Sequence, residues 1–223
     1  MTGKTHRVGG VLSCLGGYIL LKENGMLLGD VDPLLQLTVM YPFAIYGSVV
    51  SDLDHAWESS PCRDIVSYVI NKILHLTTPI NEGKTGVLSL LDARHRSWQT
   101  HSDLFLFLMM FVSSVLLNQS VNNADHIIIR LIFMGLVLGI SSHLVLDMLT
   151  PEGIWFISLV FVKKLFGLKF LPSKVSFVSN TEFFRTGGSW EKLIRWLMWL
   201  ICFFLLFRII LWASPCSIDF LKA

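Results

Sequence analysis

The sequence predicts an all-α, multi-pass membrane protein: one helical bundle with about four to five transmembrane helices and further amphipathic helices at the membrane interface. Of its 223 residues, 53% are hydrophobic and only 15% are charged, far from the balance of an average soluble domain. Several apolar runs are long enough to cross a bilayer at about 1.5 Å per helical residue. No Gly-, Ser- or Pro-rich linker divides the chain, so residues 1–223 are predicted to form a single domain.

The first two predicted helices cover residues 8–21 and 34–50. The charged start and the apolar stretch of the first are those of a secretion signal, but no small-residue cleavage site follows, so we expect a retained helix. Gly9, Ser13 and Gly17 recur along it at a spacing of four residues. Small residues at that spacing predict a face that packs closely against a neighbouring helix.

A more polar region, residues 56–100, separates the second predicted span from the third. Apolar residues recur at helical spacing between 65 and 74, and we expect an amphipathic helix on the membrane surface there. The third apolar run, 104–117, is short for a span, and Ser102 or Asp103 can cap its start.

The fourth apolar run, residues 127–149, carries a polar pair near its end. His143 and Asp147 are four residues apart, so both side chains lie on one helix face, close enough to bind one ion together. Gly135 and Gly139 continue this face, which indicates that it packs against other helices and not against lipid. An ionisable residue inside a span is costly, and the usual reason for tolerating it is function.

The C-terminal part is predicted to contain an interfacial segment and a last span. Proline and glycine in residues 149–153 end the fourth helix. Residues 154–171 are apolar but interrupted by three lysines, which suits a re-entrant or interfacial segment better than a span. Residues 193–213 form the last predicted span, with tryptophans suited to the two interfaces at Trp190, Trp196, Trp199 and Trp212.

Lysines and arginines predict the orientation of these helices. With a cytoplasmic N-terminus, thirteen of them fall on the N-terminal side of the membrane and only Lys22 and Lys222 on the other. The positive-inside rule therefore places the N-terminus and the thirteen-charge side in the cytoplasm. The four cysteines form no close pair and are predicted to be packing residues, and no nucleic-acid binding is evident.

This topology brings imidazoles and carboxylates from four segments to the cytoplasmic end of the bundle. They precede the first helix, follow the second, precede the third and end the fourth: His6, Asp52, Asp54, His55, His95, His101, His143 and Asp147. Each group has a simpler interpretation alone, as a helix-surface hydrogen bond, a polar helix stop or juxtamembrane basic residues. Together these donors suit zinc, manganese or iron, and they predict a metal centre.

The same segments carry motifs that occur in order between residues 5 and about 155: Thr5-His6, Ser51-Asp52-Leu53-Asp54-His55, His95-Arg96-Ser97-Trp98-Gln99-Thr100-His101-Ser102, and Ser142-His143-Leu144-Val145-Leu146-Asp147 followed by Thr150-Pro151-Glu152-Gly153. In this pattern the chain resembles the YdjM-like family of predicted membrane-bound, metal-dependent hydrolases. Many members have proline before the first aspartate, where this chain has Ser51; the difference changes the turn but removes no ligand. The resemblance implies a bacterial or phage-related inner-membrane protein with phospholipase activity. The His-x-x-x-Asp pair is also similar to helical zinc-ligand pairs of zinc-dependent phospholipases C.

The leading hypothesis is a hydrolase in which a divalent metal supplies hydroxide from bound water near neutral pH. The predicted metal is Zn²⁺, with Mn²⁺ or Fe²⁺ as alternatives, and the donors are numerous enough for two ions. The predicted ligands are His6, Asp54, His55, His95, His101, His143 and Asp147. Asp52 would take a proton from the bound water, and Arg96 would pair with a phosphate oxygen of the substrate.

The predicted substrate is a phospholipid or another phosphoester, because the site lies where membrane lipids carry their phosphates. Two alternatives remain open. A transporter for metal ions or protons would also gather such side chains, although transporter sites usually lie near the midplane of the membrane. A non-catalytic membrane protein stabilised by a metal would have every coordination position filled by protein, whereas an enzyme would keep one open.

Overall fold

The fold was examined in a computed structural model, which describes residues 2–25, 31–54, 65, 67–69, 71–72, 100–118, 124–150, 153–167, 174–177 and 187–213. Within these residues the chain forms a helical bundle, and the predicted all-α membrane architecture is confirmed. The continuous helices are α1 (Gly3–Glu23), α2 (Pro33–Val50), α3 (Asp103–Asn118), α4 (Ala124–Met148), α5 (Ile157–Phe166) and α6 (Ser189–Ala213). A 3-10 turn, Ser51–Asp54, follows α2, and two short antiparallel strands pair with each other, β1 (Ile154–Trp155) and β2 (Lys174–Val175).

Four of the predicted spans agree with observed helices to within a few residues, whereas the first helix is longer than predicted. It begins at Gly3, so His6 lies inside α1 and not before it. The prediction was wrong because Thr2, Lys4 and Thr5 give this stretch a polar start that is typical of a flank. Helical positions at 65, 67–69 and 71–72 agree with the predicted amphipathic helix, and the rest of that segment is outside the described residues.

The predicted interfacial segment, residues 154–171, contains a short helix. The ten residues of α5 are too few to cross a bilayer, which takes about 20. Gly167 ends the helix in a left-handed conformation with φ of 67°, a backbone geometry that glycine adopts without steric cost. This helix therefore agrees with the interfacial interpretation and not with a span.

The closest helix contact in the bundle joins α2 and α4. A Cβ atom on Gly139 would overlap the backbone carbonyl of Ala44, and one on Gly135 would overlap that of Met40. Gly47 makes the reciprocal approach, since its Cβ would lie 2.5 Å from the carbonyl oxygen of Leu136. Because both partners advance together along the chain, α2 and α4 run parallel, and the predicted glycine face of α4 packs on α2.

Helix α1 lies antiparallel to this pair and contacts α2, α4 and α6. Gly9 faces Leu146 and Gly17 faces Leu138, so the predicted small-residue face of α1 packs on α4. Ser13 adds a hydrogen bond from its Oγ to the carbonyl oxygen of Leu138, at 2.9 Å. From Val11 toward the C-terminal end of α1, this helix packs into a hydrophobic core that includes Cys14, Leu15, Tyr18, Met40 and Ile209.

Among the described residues, three helices are long and apolar enough to cross a membrane: Pro33–Leu53, Ile127–Met148 and Ser189–Ala213. A shorter apolar helix covers Asp103–Val115. Helix α6 presents large apolar side chains to its surroundings, with Trp196 62% exposed and Phe203 65% exposed. A soluble protein would bury such a surface, so the outer face of the bundle is suited to lipid.

The α2–α4 contact predicts that Gly139→Ala lowers the melting temperature of the purified protein in detergent, by an amount equivalent to about 1–3 kcal/mol of overpacking. The new methyl group meets backbone atoms of Ala44 and Ser48, which cannot rotate away as a flexible side chain can. Gly16→Ala is the matched control, since its Cβ would meet only a Leu205 methyl group at 3.9 Å. Equal melting temperatures for the two variants would contradict the close approach.

Candidate metal centre

Five of the predicted site residues come together at one end of the bundle: His6, Asp52, His101, His143 and Asp147, called here the His/Asp cluster. His6 lies in the second turn of α1, and Asp52 lies in the 3-10 turn after α2. His101 precedes α3, and the remaining pair occupies the last two turns of α4. The alternating direction of the helices produces this convergence, because α1 and α3 begin where α2 and α4 end.

His101, His143 and Asp147 have donor atoms at separations typical of ligands around one metal ion. The two histidine Nε2 atoms are 3.1 Å apart, and Asp147 Oδ2 lies 3.2 Å from that of His143 and 3.4 Å from that of His101. A zinc ion held at about 2.0–2.1 Å by tetrahedral ligands separates those ligands by roughly 3.3 Å. The three atoms therefore form a face onto which such an ion fits.

A second group of donors, His6, Asp52 and His143, overlaps the first. Asp52 Oδ1 is 3.5 Å from His101 Nε2 and 3.6 Å from His143 Nε2. His6 Nε2 is 3.5 Å from the Oδ1 atom of Asp147, and its ring stacks on that of His143 with centroids 3.9 Å apart. All five side chains thus belong to one connected site.

The hydrogen bond of His143 decides which of its ring nitrogens can bind a metal. Nδ1 lies 2.6 Å from the backbone carbonyl oxygen of Ser48, which can only accept a hydrogen bond. Nδ1 therefore carries the proton, and the lone pair is on Nε2, which faces the cluster. Since one lone pair serves one ion, the two overlapping groups cannot each use His143 for a separate metal.

Burial makes a compensating positive charge necessary. His101 and His143 are 0% exposed, His6 and Asp147 are 1% exposed, and only Asp52 retains access, at 16%. Two carboxylates removed from water need a cation beside them, either protonated imidazoles or a metal ion. Neutral imidazoles and carboxylates are a donor set that suits zinc, so the residues present fit such an ion.

Asp103 connects residues 100–102, called here the His101 loop, to helix α5. Its carboxylate accepts hydrogen bonds from the backbone N–H groups of Ile157, at 2.7 Å, and Ser158, at 3.2 Å, and from the Ser158 hydroxyl. It also accepts one from its neighbour Leu104 at 2.9 Å. We predicted a capping role at α3 for this residue or for Ser102; the structure adds a cap on α5, to which no local sequence pattern pointed.

Glu191 forms a second buried junction beside the cluster, with Thr2, Thr5 and Gly187, called here the Glu191 junction. Its carboxylate accepts hydrogen bonds from the N–H groups of Thr2 and Gly187, both at 2.7 Å, and from both threonine hydroxyls. The side chain is 3% exposed. These bonds attach the first turn of α1 to the start of α6 and so hold His6 at the cluster. The sequence interpretation missed this residue, although an acidic side chain in the first turn of α6 was a signal.

The other predicted site residues have a less defined place. Asp54 belongs to the 3-10 turn, and nothing further is described of its side chain. His55, His95 and Arg96 are outside the described residues, and their roles stay predictions. Asp52 is predicted to be a proton acceptor. Its Oδ1 atom lies 3.5 Å and 3.6 Å from the Nε2 atoms of His101 and His143, close to the separation of two ligands around one metal ion, so its position suits a metal ligand as well.

The bundle and the His/Asp cluster define a helical membrane protein with a buried group of residues that could hold a metal ion. A family model described as the YdjM inner membrane protein matches residues 1–215, and the chain belongs to this family, which confirms the predicted resemblance. The chain is also similar to the uncharacterized protein YvsG of Bacillus subtilis (strain 168), with 28% identity over 155 residues, 69% of this chain and 71% of that protein. No solved structure matches the chain.

The cluster geometry predicts that His143→Ala lowers zinc affinity by at least about 100-fold, since even changes outside the ligand shell cost about 10–100-fold. Competition with a fluorescent chelator would measure the dissociation constant of the detergent-purified protein. His101→Ala should behave alike. Cys202→Ala is the control, because this buried thiol is another zinc donor type but packs in the apolar core. Unchanged zinc affinity in both histidine variants would contradict a metal centre here.

The Glu191 junction predicts that Glu191→Ala destabilises the protein by about 1–3 kcal/mol, because buried hydroxyl and N–H groups lose their acceptor. Glu191→Gln retains one acceptor oxygen and should lose less. Glu23→Ala provides the comparison, since its ion pair with Arg208 is exposed and such pairs contribute about 0–1 kcal/mol. Thermal unfolding in detergent checks the order; a Glu191→Ala variant as stable as Glu23→Ala would refute the role of the junction.

Proposed function

We propose that the chain is a membrane-bound, metal-dependent hydrolase that acts on a phosphoester at the membrane interface, with a phospholipid as the substrate. The observation that carries this proposal is the His/Asp cluster: three imidazoles and two carboxylates from four helix ends, each with a donor atom within 3.5 Å of another member. Structural packing alone gives no reason to bury so many ionisable groups in an otherwise apolar bundle.

Zn²⁺ is the ion that this donor set suits best, with Mn²⁺ or Fe²⁺ as alternatives, and when bound it would lower the pKa of a coordinated water molecule. His101, His143 and Asp147 would hold it and leave a fourth position open for water, while His6 would support the site through Asp147, whose Oδ1 atom lies 3.5 Å from its Nε2 atom. The bond from His143 to Ser48 fixes the imidazole in the required tautomer. One ion is sufficient for the described residues because His143 offers a single lone pair.

Asp52 is assigned to the proton transfer. It is the only member of the His/Asp cluster with appreciable exposure, so water and substrate would approach from its side. Its Oδ1 atom lies within 3.6 Å of two imidazole Nε2 atoms, in position to accept a proton from the water that a metal held by those nitrogens would coordinate. Arg96, outside the described residues, would pair with a phosphate oxygen of the substrate.

The depth of the site supports a lipid substrate. Asp147 is the penultimate residue of the candidate span Ile127–Met148, and Asp52 is the penultimate residue of Pro33–Leu53. Both carboxylates therefore lie where a span meets the headgroup region, the level at which phospholipids carry their phosphates. The distribution of lysines and arginines favours the cytoplasmic leaflet.

A transporter of metal ions or protons fits the bundle less well. Below the cluster, glycines of α1 and α4 contact the backbone of α2 directly, at Gly10 and Gly139. The core beyond them is apolar, with Tyr18 and Met40 fully packed. The described residues thus provide no chain of polar side chains leading from the cluster toward the opposite end, as a conduction path requires.

Turnover can be tested with protein reconstituted into phospholipid vesicles, with released headgroup or phosphate as the readout. The wild type should hydrolyse lipid in a manner that a chelator abolishes and zinc restores. Asp52→Asn should lower kcat by about 10²–10⁴-fold, the usual effect of removing a general base, while zinc remains bound. Asp32→Asn is the matched control, because Asp32 caps the opposite end of α2.

Each failure has a distinct meaning. No hydrolysis by a zinc-loaded wild type of any phospholipid or soluble phosphoester would contradict the proposed activity but not the metal site. Full activity in Asp52→Asn would exclude Asp52 from proton transfer. Saturable zinc flux into sealed vesicles without hydrolysis would favour the transporter.

A further inference from the structure

Helix α5 has an apolar face that the other described residues leave uncovered. Phe161 and Leu165, one turn apart, are 71% and 79% exposed, and Phe166 is 66% exposed. With Val162 they form two adjacent rows at i, i+4 spacing, a continuous stripe along one side of the helix. No residue of α5 is buried, and the hydrogen bonds described between this helix and the rest of the bundle join its first turn to Asp103.

The start of α5 is attached to the His/Asp cluster end of the bundle. Asp103 caps its first turn and lies two residues from His101. Immediately before α5, Ile154 packs on Ile140 and Leu144, the latter adjacent to His143. The position of α5 along the bundle is thus fixed by contacts with α3 and α4, the helices that also position His101, His143 and Asp147.

Two lysines, Lys163 and Lys164, lie in the last turn of α5, and Lys164 is exposed. Their position beside the apolar stripe gives the helix the composition of an interfacial segment, with an apolar face for acyl chains and ammonium groups for anionic headgroups. A helix of ten residues spans about 15 Å, which suits a position along the membrane surface.

We infer that α5 is a lipid-binding element that inserts its apolar stripe into the headgroup region of an anionic bilayer, with Lys163 and Lys164 paired with lipid phosphates. Charge complementarity and the exposed apolar side chains of α3, the helix that α5 contacts, select a lipid surface as the occupant; Leu104 is 47% exposed and Leu108 is 55% exposed. Through Asp103 the bound surface would hold the His101 loop at headgroup level. This role does not depend on turnover at the cluster.

An environment-sensitive fluorophore on Leu165→Cys tests the inference, in a full-length background with Cys62→Ser and Cys216→Ser, the remaining cysteines being buried. The protein is reconstituted into phosphatidylcholine vesicles with or without phosphatidylglycerol. Brominated lipids quench a label within the bilayer, and iodide quenches one in water. We expect strong quenching by brominated lipid and little by iodide, most clearly in the anionic vesicles.

Replacing the lysines, as Lys163→Gln with Lys164→Gln, should lower the ratio of inserted to water-exposed label by about fivefold for each charge in anionic vesicles only. Lys22→Gln is the control, since this lysine lies over Trp212 at the opposite end of the bundle. Iodide quenching in both kinds of vesicle would overturn the inference. So would a label shielded from both quenchers, which would mean that protein, from this chain or a second copy, covers the stripe.

Discussion

The backbone contact between α2 and α4 is the constraint on which the other contacts at the cluster depend. Gly135 approaches Met40, Gly139 approaches Ala44, and one turn further the imidazole of His143 reaches the carbonyl oxygen of Ser48. Each pair is 95 residues apart in the chain, so the two helices keep one register up to the site. Larger residues at the glycine positions would move the helices apart and remove the acceptor of Nδ1. The proton on His143, and with it the direction of its lone pair, therefore follows from glycine packing two turns away.

The contacts of α1 and α6 complete the cluster from the other side. Gly9 and Gly17 let α1 lie against α4, and this approach places the ring of His6 on that of His143. Glu191 then fixes the first turn of α1, because its carboxylate gathers four donors from the two chain segments. In a bilayer such polar contacts lie next to apolar surroundings, where an unmatched donor is costly. The hydrogen bonds of Glu191 thus support the site without a contribution from a bound ligand.

Most of the architecture could be predicted from the sequence because apolar runs and the spacing of His143, Asp147 and the glycines are local properties. The alternating direction of successive helices then predicts that His6, Asp52 and His101 lie at the same end, and this prediction requires no knowledge of contacts. What could not be predicted depends on pairs distant in sequence. The sequence predicts a polar flank at the buried start of α1 because the partner of this stretch, Glu191, lies more than 180 residues away. The cap that Asp103 places on α5 likewise joins residues 54 positions apart.

The members of the His/Asp cluster differ in their exposure to solvent, which residue type alone does not reveal. His101, His143 and Asp147 are at most 1% exposed, whereas Asp52 is 16% exposed, so the described part of the cluster is open to water on the side of Asp52. A site sealed on every side would favour a structural metal, and a site open at both ends would favour transport. Within the described residues, one partly exposed carboxylate beside buried imidazoles instead gives an approach at the end of the bundle where the spans end. If α5 lies along that surface, the phosphates of the proposed lipid substrate lie at the level of the donor atoms, and such a lipid need not leave the bilayer to reach them.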